Sequence, residues 1–174
     1  MWAVGDSKTV NGTWGTTAAF WITDHRIRDA SFDNGGLNGQ SVTGWRTIID
    51  TTLAGISKNY DDVFIDLGVN DSTPGDATWQ SNYAYIVDAI HTKWPSAKII
   101  ISYPWKRSWG ASTAACHTAI DAMLSTRGPW AVAGDDEAVW LEGGDNGVTM
   151  TSDGVHYSTA GDNKKATLVE IELP

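Results

Sequence analysis

Two polar segments, near opposite ends of the chain, carry side chains that could act together in acyl transfer. The sequence Gly-Asp-Ser at 5–7 follows a short apolar run and places a hydroxyl, that of Ser7, at a sharp turn. Asp153 lies three residues before His156, and at this spacing a carboxylate can hold Nδ1–H and leave Nε2 to act as a base. The Gly-Asp-Ser segment alone is a weak signal, because turns of similar composition are common. The segment with Asp153 and His156 is more specific, although a solvated loop with an incidental histidine is the alternative.

A third segment, at 68–71, could stabilise negative charge. Gly68 and Asn70 follow the apolar run 63–67. A glycine and an asparagine amide suit donation to a developing oxyanion, although an ordinary Gly-Asn turn has the same sequence. His156 is the best candidate base among the four histidines. His91 and His117 lie in predicted helices and are expected to be structural, and no carboxylate lies three residues before His25.

The apolar spacing predicts elements that would bring these segments to one edge of a sheet. Strands are predicted at 2–4, 30–33, 63–67, 98–103 and, as a last strand, 138–141. Helices are predicted at 43–56, 79–94 and 111–125 and from Thr159 onward, with a long loop at 8–23 and an end, 168–173, that could be helix or strand. Continuous apolar strands alternating with helices are typical of a parallel sheet covered on both faces, whose functional residues follow the strands. We therefore expect a three-layer α/β/α sandwich with a parallel sheet, forming a single domain over 1–174.

Composition limits the classes of partner. The 174 residues fit one domain, and the formal net charge of -9 opposes binding to nucleic acid and to anionic membranes. No apolar run is long enough to span a bilayer, and the single cysteine, Cys116, cannot form an intrachain disulfide. The first residues do not resemble a signal peptide. We expect a soluble protein, either cytoplasmic or secreted with its leader removed, and its oligomeric state is left open.

Taken together, the segments resemble the SGNH (GDSL-type) hydrolase family. The order is serine first, asparagine in the middle and Asp-x-x-His last. A fourth segment, Asn-Gly-Gly-Leu-Asn-Gly-Gln-Ser at 34–41, is similar to the family's N-x-G-x-x-G-x-[ST] segment. The resemblance extends from Gly5 to about Gly161 and implies a flavodoxin-like fold.

The resemblance also implies a role for each matching residue. Ser7 would be the nucleophile and His156 the base, oriented by Asp153. Ser7 N–H, Gly39 N–H and the Asn70 amide would form the oxyanion hole. The implied activity is a serine esterase that works through an acyl-enzyme, with no cofactor and no metal. The sequence predicts no long apolar lid helix of the kind that a lipase acting on oil would need, so we expect short-chain, acetyl-type esters. Alternatives are a lysophospholipase or thioesterase, and a non-catalytic carbohydrate-binding protein on the same fold.

One residue departs from the family pattern. The family usually has leucine or isoleucine after the serine, and this chain has Lys8. The lysine could place a cation near the substrate, but we expect it to point to solvent from a shifted turn.

Tryptophans suggest the class of substrate. Trp14 and Trp21 lie in the predicted loop after the first strand, and Trp105 and Trp109 follow the strand at 98–103. Exposed rings there could stack on sugars, which would indicate a carbohydrate O-acetyl esterase; they could equally pack the loops together. The expected partner is a small-molecule or carbohydrate ester.

Acidic residues at two places in the sequence suggest alternative sites. Asp66 and Asp71 flank the turn at Gly68 and could serve a metal-dependent phosphoryl-transfer enzyme, although Asp66 lies inside a strand and is expected to face a helix. The acidic sequence at 135–137 could hold Ca²⁺, but we expect it to be an acidic surface turn.

Overall fold

The computed structural model describes residues 1–11, 33–142 and 148–172, and within these ranges a five-stranded parallel sheet forms the centre of the fold. Its strands are β1 (Trp2–Gly5), β2 (Asp33–Asn34), β3 (Asp62–Asp66), β4 (Lys98–Tyr103) and β5 (Ala131–Asp136). The described helices are α1 (Ser7–Asn11), α2 (Val42–Gly55), α3 (Ala77–Lys93), α4 (Ala111–Leu124), α5 (Glu137–Glu142) and α6 (Thr159–Glu172). The strand order β2-β1-β3-β4-β5, with every neighbouring pair parallel, is the flavodoxin-like order.

Both faces of the sheet are covered by helices, so the predicted three-layer α/β/α sandwich is confirmed. Alternate residues of β3 point to opposite faces, as the strand period of two requires. Val63 and Ile65 belong to the larger core, which also contains the buried apolar residues of α2, α3 and α4. Phe64 lies in a smaller core with Ala166 and Val169 of α6.

The long helices begin and end close to the predicted residues, and capping side chains define the starts of α2 and α3. The Ser41 hydroxyl accepts a hydrogen bond from Gly44 N–H at 3.0 Å at the start of α2. Asp76 caps α3 in the same way through Trp79 N–H, at 2.8 Å. No helix within the described ranges is both long and apolar enough to cross a membrane.

The last strand was predicted at the wrong place. The stretch 138–141 lies in α5, where Val139 is exposed and Leu141 is buried, and β5 precedes it at 131–136. Short apolar runs do not separate strand from helix, and this edge strand contains mainly small and acidic residues.

Three other boundaries differ from the prediction or extend it. A helix, α1, begins at Ser7 where a loop was predicted, and residues 12–32 of that stretch lie outside the described residues. Strand β2 occupies Asp33–Asn34, so only the end of the predicted strand falls in the described part. The C-terminal stretch is helical to Glu172.

Candidate active site

Ser7 is the first residue of α1, directly beyond the carboxyl end of β1. The turn depends on Gly5, because a Cβ atom there would lie 1.9 Å from the Thr9 hydroxyl and 2.4 Å from the backbone oxygen of Asp66. The Asp6 carboxylate accepts a hydrogen bond from Lys8 N–H at 3.0 Å, which closes the turn on its other side. Close packing between β1, β3 and α1 therefore determines where the serine hydroxyl lies.

His156 lies between Ser7 and Asp153. Its Nε2 atom is 2.9 Å from Ser7 Oγ, and its Nδ1 atom is 2.7 Å from Asp153 Oδ2. The imidazole side chain is 39 % exposed, so a substrate can reach it. This is the arrangement in which an imidazole can accept a hydroxyl proton while a carboxylate orients its other nitrogen.

Asp153 is held as a carboxylate by its own loop. Its Oδ1 atom accepts hydrogen bonds from Val155 N–H at 2.9 Å and His156 N–H at 2.8 Å. The slight burial of Asp153 favours the neutral form, but the hydrogen bonds from His156 and Val155 outweigh it and lower the pKa of Asp153 to about 2. Asp153 therefore keeps its charge throughout the pH range in which a histidine base would work.

The loop that carries Asp153 and His156 is anchored at both ends. Ser152 N–H donates to His156 O at 2.8 Å, and Thr151 forms an antiparallel bridge with Tyr157. Gly154 has a φ of +90° and lies against the Arg107 side chain, where a Cβ would be 3.1 Å from Arg107 Cβ. These contacts give the imidazole a defined position.

The segments that carry Gly39 and Asn70 meet beside the end of β1. Gly39 has a φ of +71° in an exposed turn, and Leu37 N–H, just before it, donates to Gly5 O at 3.0 Å. The Asn70 amide nitrogen donates to Gln40 O at 3.0 Å. An amide nitrogen carries two hydrogens, so this bond still leaves one for a substrate oxygen. The structure thus ties both segments to the strand that precedes Ser7.

The expectation for Lys8 is wrong. The lysine is 1 % exposed, forms an ion pair with Glu137 of α5 and donates to Trp105 O at 2.9 Å. A buried ammonium needs a partner of opposite charge. Here the partner comes from α5, which directly follows the edge strand β5.

The tryptophans do not form the expected exposed platform in the described part of the structure. Trp105 is 1 % exposed, so the prediction of an accessible ring is wrong there and the alternative, packing between loops, describes it. Trp109 is half-buried and packs against the larger core. Trp14 and Trp21 lie outside the described residues.

The acidic sequence at 135–137 is not the surface turn we expected. Asp135 is 5 % exposed and Glu137 is fully buried, and both contact the ammonium of Lys165, which is also fully buried. Lys165 and Tyr157 were not identified from the sequence. One sequence signal for this buried polar group was available. Lys8 and Tyr157 directly follow Ser7 and His156, in a fold whose interior is otherwise apolar.

Asp66 belongs to a buried cluster of charged side chains with Asp135, Glu137 and Lys165. As predicted, it faces a helix. Its Oδ2 atom is 3.4 Å from Lys165 Nζ of α6. Burial and the charge of Glu137 raise the pKa of Asp66 to about 7, and Lys165 only partly opposes them. Glu137 behaves oppositely: burial favours its neutral form, but Lys8 and Lys165 lower its pKa to about 2.

These placements separate the carboxylates of the phosphoryl-transfer alternative. Asp66 points to Lys165, whereas Asp71 Oδ2 accepts a hydrogen bond from Val42 N–H at 3.0 Å, at the start of α2. Among the described residues, no three His, Cys, Asp or Glu side chains are grouped so that they could hold a metal ion.

Comparison with solved structures identifies the fold. No protein-family model matches the chain, and no curated protein matches it by sequence. A carbohydrate esterase family 3 structure from Talaromyces cellulolyticus is 21 % identical, with a TM-score of 0.74, over 99 % of this chain and 96 % of that one. A serine-to-alanine mutant of an acetyl esterase, with an acetate ion, is 21 % identical with a TM-score of 0.73 over the same shares of the chains. A member of the lipolytic G-D-S-L family from Veillonella parvula is 18 % identical with a TM-score of 0.75, again over 99 % and 96 %. The chain therefore has the fold of the GDSL-type lipolytic enzymes and carbohydrate esterases.

Proposed function

We propose that this protein is a serine esterase of the SGNH type that works through an acyl-enzyme. The observation that carries the proposal is the continuous chain of contacts from Ser7 Oγ through the imidazole of His156 to Asp153, at 2.9 and 2.7 Å. His156 Nε2 takes the Ser7 proton as Oγ attacks the ester carbonyl, and then returns it to the departing alcohol. Water next attacks the acyl-enzyme, again with His156 as base, and releases the acid and free Ser7.

The oxyanion of each tetrahedral intermediate needs donors on the side away from His156. We assign them to Ser7 N–H, Gly39 N–H and the Asn70 amide. The proposal is supported by the hydrogen bonds that join Leu37 to Gly5 and Asn70 to Gln40, since they fix these donors relative to β1. Donors fixed in this way stabilise charge without reorganising during the reaction.

A polar depression beside Asn70 favours a carbohydrate alcohol as the leaving group. It has a volume of about 270 Å³, and it is lined by hydroxyl, amide, carboxylate and indole groups of Ser41, Thr43, Asn70, Asp71, Ser72, Thr73, Asp76, Thr78 and Trp79. Carboxylates and hydroxyls satisfy sugar hydroxyls better than they satisfy an acyl chain. The similar structures named as a carbohydrate esterase and an acetyl esterase point the same way. We propose O-acetyl groups on a sugar as the substrate class.

Hydrolysis of p-nitrophenyl esters from acetate to octanoate, followed by acetate release from acetylated sugars, tests the proposal. The acetyl ester should be the best of the series, and Ser7→Ala should abolish its turnover. Equal rates for Ser7→Ala and the original protein would refute the mechanism. A preference for octanoate would refute the acetyl specificity and favour the lysophospholipase or thioesterase alternative.

A further inference from the structure

The carboxylate of Glu137 contacts the residue that follows Ser7 and the residue that follows His156. Its Oε2 atom accepts a hydrogen bond from Lys8 Nζ, and its Oε1 atom accepts one from the Tyr157 hydroxyl. Ser7 and His156 reach the site from opposite ends of the chain. Glu137 is thus a short bridge between the two segments that carry them.

The bridge is buried and fully hydrogen-bonded. The side chains of Lys8 and Glu137 are both 0 % exposed. Each carboxylate oxygen accepts a second bond: Oε2 from Trp105 N–H at 2.9 Å and Oε1 from Lys165 Nζ at 3.1 Å. An ionised carboxylate with both oxygens doubly satisfied in a low-dielectric interior has little freedom to rotate.

We propose that Glu137 is a positioning residue that holds Ser7 and His156 at hydrogen-bond distance, through Lys8 on one side and Tyr157 on the other. The inference rests on the proposed esterase function. Its physical basis is that α1 is a helix of five residues, too short to be stable by itself, so tertiary contacts must fix its orientation. Glu137 is fully buried and does not touch the substrate, and of its partners only Lys8 and Tyr157 link it to the reacting residues.

The contact with Glu137 explains why position 8 is a lysine, although the family resemblance leads us to expect an apolar side chain there. An apolar residue at position 8 could pack beneath the serine but could not bond to Glu137. In this chain Lys8 ties α1 to α5, and the same carboxylate ties α5 to the loop of His156. A displacement of about 1 Å between reacting groups can cost on the order of 100-fold in rate, so a small shift in either segment is enough to matter.

Tyr157→Phe tests the inference, because it keeps the ring and removes the hydroxyl that donates to Glu137 Oε1. The same hydroxyl lies 3.1 Å from Asp66 Oδ2, so Asp66→Asn is measured in parallel and should leave kcat unchanged.

The matched control is Ser102→Ala, which removes a buried hydroxyl bonded to Asp135 at 2.7 Å and to Lys165 at 2.6 Å rather than to Glu137. For all three variants we would measure kcat and KM with p-nitrophenyl acetate and the urea midpoint. Crystal structures of Tyr157→Phe and Ser102→Ala would give the distance from Ser7 Oγ to His156 Nε2.

Tyr157→Phe should lower kcat about tenfold with KM within twofold, and should lengthen the distance between Ser7 Oγ and His156 Nε2. Ser102→Ala should lower the urea midpoint as much, yet leave kcat and that distance unchanged. Equal loss of kcat in both variants, or an unchanged distance in Tyr157→Phe, would overturn the inference. Absence of hydrolysis by the original protein would instead refute the esterase function, and the crystallographic distance would still decide the positioning role.

Discussion

His156 Nε2 lies 2.9 Å from Ser7 Oγ, although the two residues are 149 positions apart in the sequence. The contact joins two local structures that are distant in the sequence: the turn at the end of β1, and the loop that closes between Thr151 and Tyr157. Changes that act on the chemistry and changes that act on these supports should therefore be distinguishable by experiment.

Replacing Asp153 by asparagine should lower kcat by on the order of 1,000-fold, with little change in KM. The amide cannot stabilise the imidazolium that forms when His156 takes the serine proton, and it favours the wrong tautomer. Steady-state kinetics with p-nitrophenyl acetate would measure the loss. Asp50→Asn, at an exposed carboxylate of α2, is the matched control and should behave like the original protein. A kcat within twofold of the original for Asp153→Asn would contradict the assigned role.

Asn70→Ala should reduce kcat by on the order of 100-fold, because it removes one oxyanion donor. Asn70 is exposed and makes a single side-chain bond to Gln40 O in the structure, so stability should change little. Turnover of the acetyl ester and a urea denaturation curve would separate the two effects. Asn163→Ala, at an exposed asparagine of α6, supplies the comparison and should retain full activity. Retained turnover in Asn70→Ala would remove this residue from the oxyanion hole.

The pair of Lys8 and Glu137 should show strong energetic coupling. Removing one member of a buried ion pair leaves an uncompensated charge and costs about 3–5 kcal/mol, whereas replacing both members costs much less than the sum. Lys8→Met, Glu137→Gln and the double variant form the cycle, and urea denaturation gives each free energy of unfolding. Arg46 and Asp50, an exposed pair on α2 separated by 4.0 Å, provide a control cycle with coupling near zero. Additive losses for Lys8 and Glu137 would show that the pair is not coupled.

The free energy of unfolding should fall as pH rises from about 4.5 to 7. The pKa of Asp66 is raised to about 7 by burial and by Glu137, so the folded protein keeps a proton that the unfolded chain has already lost. Burial also raises the pKa of Asp6 to about 6, despite Lys8, with the same sign. The lowered pKa of Glu137 acts in the opposite direction, but only below about pH 4.5. Each retained proton contributes a slope of up to about 1.4 kcal/mol per pH unit.

Urea denaturation at pH 5 and pH 7.5 tests this dependence. In Asp66→Asn the side chain at position 66 is neutral at both pH values. The free energy of unfolding of this variant should therefore change less with pH than that of the original protein, whatever its absolute stability. Asp61→Asn, at an exposed residue just before β3, should keep the slope of the original protein. Identical slopes for Asp66→Asn and the original protein would show that Asp66 does not titrate in this range.

The central strands could be predicted because they are apolar on both faces. The runs at 63–67 and 98–103 correspond to β3 and β4 within one residue at either end. β5 could not be predicted in the same way, since it lies at the edge of the sheet and is only partly buried. Its Asp135 carboxylate is paired with Lys165 of α6, 30 positions later in the sequence, and local periodicity holds no information about such a partner.

The residues of the candidate site also differ in whether local sequence could predict them. Ser7, Asp153 and His156 could be selected because the spacing and order of residue types carry chemical meaning, and the structure brings them together. The burial of Lys8 could not be foreseen, because a lysine after a turn normally stays in water and its partner Glu137 is distant in sequence. For Trp105 the predicted position after a strand was correct, but the predicted exposure of its ring was wrong.

The close approach of β3 to the turn before Ser7 bears on how the Gly-Asp-Ser triplet is interpreted in other chains. Any side chain at position 5 would collide with Thr9 and with the backbone of Asp66. The glycine is therefore required by backbone crowding, whether or not the serine after it performs catalysis. A descendant of this fold that had lost its enzymatic activity would remain under steric selection to retain Gly5, while Asp153 and His156 would be free to drift. Gly5 is thus a marker of the architecture, and inherited activity is better diagnosed from Ser7, Asp153 and His156 together.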